Sequence, residues 1–177
     1  MIQNTKIHRL CLIGMMAAIL CIVSPFSLPV GPVGLSAATF GVLLIAGVLS
    51  PKDSVIAVGI YLLLGLVGVP VFAGFQGGFS VIAGPSGGFL LGYLPCVLIS
   101  SLLVHRLFSK RPVLWMIAFL AGTLVLYLCG AVWMWLQLKT PLVAVLLPFI
   151  PGDIVKILAA TAVGMPLHTF LHKRKDA

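Results

Sequence analysis

Asp153 and Lys156 stand three residues apart in PFIPGDIVKIL, residues 148–158, within sequence that is otherwise apolar on both sides. Side chains three apart share one face of a helix, so this carboxylate and ammonium can reach each other and whatever occupies the space before them. Together they form an acceptor and a donor suited to a polar solute. Each charge would cost roughly 2.5 to 3.5 kcal/mol at the centre of a membrane helix, less near an end, so an interaction must offset it. Pro151 and Gly152 are expected to break the chain just before Asp153, leaving it at or near an N-cap with its carboxylate beside unpaired backbone N–H groups. The alternative without a ligand is an ion pair that only anchors the helix end.

The elements that must carry this pair follow from composition. The chain is 61% hydrophobic and 8% charged, with a mean hydropathy of +1.24, which excludes a soluble globular protein. Its 177 residues suffice for one domain of several helices, each of roughly 20 residues to cross a hydrocarbon layer of about 30 Å. The apolar runs predict an all-α integral membrane protein with six transmembrane helices: Leu10–Phe26, Leu35–Leu49, Val55–Ala73, Gly87–Val104, Val113–Leu136 and Asp153–Leu171. Leu142–Ile150, bracketed by Pro141, Pro148 and Pro151, is too short to cross and is expected to form a cap or interfacial turn.

Six crossings put both termini on one side. Lys6, Arg9, Lys52, Arg106, Lys110, Arg111, Lys173, Arg174 and Lys175 fall on that side, Lys139 on the other, and Lys156 within a helix. Basic residues flanking short loops stay cytoplasmic, so both termini are expected to be cytoplasmic and Asp153 to lie near the external surface. The net charge of +8 is thereby read as topogenic and lipid-facing, with no nucleic-acid partner. The N-terminal segment is expected to stay as a helix, since no small-residue cleavage site follows it closely.

Cys11, Cys21, Cys96 and Cys129 are dispersed without C-x-x-C spacing, and His8, His105, His168 and His172 fall near predicted helix ends, where solvation is expected. No metal site or cofactor is indicated. A second feature is the Gly-rich external loop between helices 3 and 4, within Val69–Tyr93: Gly74, Gly77, Gly78, Gly84, Gly87 and Gly88, with Pro85, permit tight turns and close approach to a ligand or helix. Irregular backbone at membrane depth must be buried in protein or line a wet cavity, so this loop is expected to fold inward as a lid or wall. Gln76, Ser86 and Tyr93 are its polar residues best able to reach a ligand, and Phe72, Phe75, Phe79 and Phe89 are candidates for apolar walls. GPSGG is no P-loop, because no Lys follows.

Enzymatic use of Asp153 and Lys156 is not expected, because nothing else completes a catalytic site. A proton- or ion-coupled carrier using Asp153 as its protonation site is the nearer rival.

Four phrases in order carry a resemblance: GPV with TFGVLL (Gly31–Val33 and Thr39–Leu44), YLLLGLVGVPVFAG (Tyr61–Gly74), GPSGGFLLGY (Gly84–Tyr93) and PFIPGDIVK (Pro148–Lys156). The chain resembles the BioY family, the biotin-specific substrate-binding (S) components of energy-coupling-factor (ECF) vitamin transporters. The resemblance implies a single membrane domain over 1–177 that captures biotin from outside. It also implies a transmembrane coupling subunit and two cytoplasmic ATPase subunits as partners, which would supply the absent nucleotide site. Many members carry Gln before the Thr-Phe of the second helix, where this chain has Ala38, so no ligand contact is carried over from that position. Biotin's ureido ring offers two N–H donors and one carbonyl acceptor, which Asp153 and Lys156 together would grip. Its carboxylate would meet loop N–H groups, Gln76 or Ser86; in the alternative, Lys156 takes the carboxylate. For the coupling partner, Gly14 and Ala18 supply a small-residue face on the first helix, and Gly41 and Gly47 a less regular one.

Overall fold

The computed structural model describes residues 2–30, 33–107, 111–139 and 149–173. Among them lie α1 (Ile2–Val23), a hairpin of β1 (Ser27–Val30) and β2 (Val33–Ser36), α2 (Ala38–Val48), α3 (Pro51–Leu66), α4 (Phe79–Ala83), α5 (Gly87–Leu107), α6 (Pro112–Leu138) and α7 (Phe149–Lys173). Among the described residues four stretches are long and apolar enough to cross a membrane: Lys6–Val23, Gly87–Arg106, Pro112–Leu138 and Phe149–Phe170. This is a helical membrane protein.

The helices fall in the expected order, with shifted boundaries that have local causes. Pro51 at the first position and Asp53 in the first turn start α3 earlier than Val55. Gly68, at φ +109°, then stops it well before Ala73. Leu35 and Ser36, read as the start of the second span, belong instead to the antiparallel hairpin, whose register pairs Ser27 with Ser36 and Val30 with Val33. That leaves α2 with 11 residues, ~16 Å of helix, too short to cross alone. It needs no such length, because all of it except Phe40 is buried by its neighbours and the hairpin precedes it. Most of Leu142–Ile150 lies outside the described residues; Phe149 and Ile150 form the first turn of α7.

α5 and α6 pack closely through small residues. A Cβ on Gly92 would come within 3.0 Å of the Cys129 Cβ, Gly130 abuts the Phe89 ring, and Gly122 abuts Ser100. Trp115, Tyr61, Phe72 and Phe119 are the largest fully buried side chains. The outer face of α6 exposes Ile117, Leu120, Leu124, Leu128 and Trp135, an apolar surface that lipid would cover.

One end of the bundle, where α1, α3 and α6 begin and α2, α5 and α7 finish, carries Lys6, Arg9, Lys52, Arg106, Arg111 and Lys173; Lys139 caps α6 at the other. Lys110, Arg174 and Lys175 lie outside the described residues. At the basic end Arg9 forms a bidentate ion pair with the buried Asp53, Nε lying 2.8 Å from both carboxylate oxygens. Ser101 Oγ donates to Leu49 O at 2.9 Å, and Ser54 Oγ to the same carbonyl at 3.0 Å, which ties α5 and α3 to the end of α2. His105 and His168 are not the solvated helix-end residues expected. Both are half-buried, stacked edge-to-face at 5.2 Å between ring centroids, with Trp115 5.5 Å from His168.

Candidate functional site

At the opposite end, where α1, α3 and α6 finish and α2, α5 and α7 begin, the helices enclose a cavity that opens outward, about 590 Å³ when its open mouth is included. α7 supplies the charged pair. Its helix runs unbroken from Phe149 through Pro151 and Gly152, so the expected break and N-cap at Asp153 do not exist. Pro151 sits in the first turn, where an N–H has no intrahelical acceptor and its loss costs nothing.

Asp153 is instead held by side chains. Lys156 Nζ donates to its Oδ1 at 2.7 Å across the three-residue spacing, and the Tyr127 hydroxyl on α6 donates to its Oδ2 at 2.6 Å. The Asp153 side chain is 4% exposed and that of Lys156 16%, and both line the cavity. Lys156 Nζ also donates to Ser36 O at 2.7 Å, across 120 residues of sequence. An ammonium carries three protons, which leaves one for a ligand acceptor, and each carboxylate oxygen keeps unused lone-pair capacity.

The hairpin that meets Lys156 is itself anchored. Ser36 Oγ donates to Ser24 O at 2.6 Å and accepts from Ala38 N at 3.0 Å, and Ser24 Oγ and the Tyr61 hydroxyl share a hydrogen bond of 2.5 Å. Tyr61 stacks edge-to-face on Phe72, whose ring lies against Gly65 where any side chain would collide.

Part of the segment after α3 lines the cavity. Phe72 and Gln76 pair across a tight turn, Gly78 N donates to Gly65 O at 2.7 Å, and Phe72, Ala73, Gln76, Val81 and Ser86 line the cavity. Trp133 Nε1 donates to Gly84 O at 3.0 Å and Gln137 Nε2 to Ala83 O at 2.7 Å, fixing this segment to α6.

Asp153, Lys156, Gln76, Ser86 and Tyr93 therefore share one cavity, with Phe72 and Phe89 as apolar lining. Phe75 does not belong to that lining. At φ +58° and 62% exposed, its ring turns outward onto Phe26 at 5.8 Å; Phe79 is also exposed, at 70%. The glycines of the loop are absent from the lining and serve turns and packing, as where Gly88 abuts Trp133. Gly41 and Gly47 pack within the chain, with Leu20 and Trp115 each 2.7 Å from where a Cβ would stand. Gly14 and Ala18 lie on an open face of α1, and nothing stands within 4 Å of a Cβ on Gly14.

Sequence reasoning missed Ser24, Ser36, Thr39, Tyr61 and Tyr127, all of which line the cavity. One signal was available: the chain has three tyrosines, and all three face this space, as hydroxyls carried on helices otherwise filled with aliphatic residues.

A bundle of apolar helices that gathers an ion pair, three tyrosines and several smaller hydroxyls around a cavity at its less basic end belongs to the class of helical membrane proteins. Comparison with known proteins narrows that class. Residues 1–173 match the model of the BioY family, and the chain belongs to it. It is 36% identical over 169 residues to biotin transporter BioY2 of Lactococcus lactis subsp. cremoris, covering 93% of this chain and 92% of that one. Identity to the probable biotin transporter BioY of Pyrococcus horikoshii is 37% over 162 residues, 89% of this chain and 93% of the relative. The fold is similar to the crystal structure of the S-component for biotin from an ECF-type ABC transporter, with a TM-score of 0.89 and 30% identity, over 96% of this chain and 95% of the other.

Proposed function

We propose that this protein is the biotin-binding S component of an ECF transporter in the plasma membrane, taking up the vitamin without catalysing a reaction on it. The carrying observation is the Asp153–Lys156 pair, hydrogen-bonded at 2.7 Å on the wall of a cavity to which Gln76, Ser86 and Tyr93 also contribute. A cyclic urea needs an acceptor beside a donor. Asp153 accepts from a ureido N–H while the remaining Lys156 proton meets the ureido carbonyl, and Gln76 or Ser86 meets the ligand's carboxylate.

The six longer helices together form the membrane domain, α2 spanning with the help of the hairpin before it, and both termini are cytoplasmic, a reading supported by the basic residues gathered at the end away from the cavity. A transmembrane coupling subunit and two ATPase subunits provide the energy, with the open Gly14 and Ala18 face of α1 as the contact. The proton-coupled alternative fits less well, because Asp153 is already engaged by an ammonium and a hydroxyl.

Calorimetric titration of the detergent-purified protein with biotin, desthiobiotin and unrelated vitamins tests the reading. Biotin should bind tightly and unrelated vitamins not at all, and Asp153→Ala should weaken biotin at least tenfold, ~1.4 kcal/mol. An unchanged binding curve in that variant removes the site assignment.

A further inference from the structure

Tyr127 has a role that neither its helix nor the charged pair explains. Its hydroxyl, 26 residues before Asp153 in sequence, donates to Oδ2 at 2.6 Å while Lys156 holds Oδ1 at 2.7 Å. An ionised carboxylate only accepts, so the tyrosine proton must point at the aspartate. The two donors come from different helices, α6 and α7. Rotation of the carboxylate about its own axis would break one bond or the other, so its plane is fixed and its unused lone pairs keep one direction before any ligand arrives.

We infer that Tyr127 is a positioning residue for ligand recognition: it clamps the Asp153 carboxylate in the orientation that accepts a ureido N–H, so that little ordering remains to be done on binding. This rests on the reading of Asp153 as the ureido acceptor. Freezing a polar side chain in its bound orientation beforehand improves affinity by removing that ordering cost from the binding step, an effect on the order of tenfold for one group.

The chain carries only three acidic residues, Asp53, Asp153 and Asp176, which makes the clamp visible by infrared spectroscopy. Protein labelled with 13C at the aspartate carboxyl gives few bands, and Asp153→Asn identifies the one that belongs to this residue. In the ligand-free full-length protein, Tyr127→Phe keeps the ring and removes only the donor. It should shift the Asp153 carboxylate stretch and weaken biotin about tenfold by calorimetry, and the weakening should vanish in the Asp153→Asn background. A merely structural tyrosine would leave the band in place and lower affinity by the same factor in both backgrounds, and either result overturns the clamp. If Asp153→Asn itself binds biotin as tightly as the parent, the ureido assignment fails, and with it the recognition half of this inference. Loss of binding in Asp153→Asn with an unmoved band and unchanged affinity in Tyr127→Phe overturns the clamp alone.

Discussion

Replacing Lys156 by Met separates the two ways the ligand could lie. Methionine keeps most of the stem but removes an ammonium that donates to Asp153 Oδ1 and Ser36 O, both at 2.7 Å. Removing one partner of a fully buried ion pair costs about 3 to 5 kcal/mol of stability. Here Asp153 keeps the Tyr127 hydroxyl and borders a cavity, so the lower end, about 3 kcal/mol, is the expected loss for the empty protein. For binding, the loss is one charge-assisted hydrogen bond to the ureido carbonyl, about 1.5 to 3 kcal/mol, or roughly 10- to 150-fold in Kd. Titrating parent and variant with biotin and with biotin methyl ester reads the orientation directly. If Lys156 meets the ureido carbonyl, both ligands weaken by the same factor and their affinity ratio survives. A variant that no longer tells acid from ester would refute this, because the ammonium would then have been paired with the carboxylate.

Four further outcomes follow from the geometry. Gly65→Ala should drive the Phe72 ring from its place and cost about 1 to 3 kcal/mol, read as a lower thermal midpoint in detergent together with weaker biotin binding. Phe75→Ala, outside the lining, should leave the biotin Kd within about twofold by calorimetry, a change too small to register as a lost contact. Cysteines at Lys52 and Phe79 should react with membrane-impermeant reagents from opposite faces of the membrane, Lys52→Cys only from inside and Phe79→Cys only from outside; labelling of both from one face would invalidate the topology. Ala18→Cys should cross-link to a co-expressed coupling subunit, and cross-links confined to this chain would count against α1 as the contact.

What could be read from sequence depended on whether the informative contacts were local. The order of the main helices follows from apolar run length, and the Asp153–Lys156 contact from a three-residue spacing that any helix converts into proximity. The hairpin was invisible, because SLPV and VGLS merge into the surrounding apolar run without the polar alternation that marks a strand. The Pro151–Gly152 pair misled for a physical reason: both residues disfavour a helix interior, yet in the opening turns of α7 that preference carries little weight. Tyr127 with Asp153, and Arg9 with Asp53, are joined across 26 and 44 residues, distances at which spacing says nothing about contact. Phe75 shows the converse: among four phenylalanines with equal claims, a left-handed backbone at one of them turned its ring away from the cavity.

The bond from Lys156 to the Ser36 carbonyl joins a hairpin made early in synthesis to a helix made late. Until α7 is inserted, the Ser36 carbonyl lacks Lys156 and the cavity lacks Asp153, so on the proposed reading the solute site is incomplete. Competence to bind thus arrives in one step, with the last helix. A chain cut before α7 should keep the hairpin and its bond to Ser24 while lacking only the Lys156 contact to Ser36.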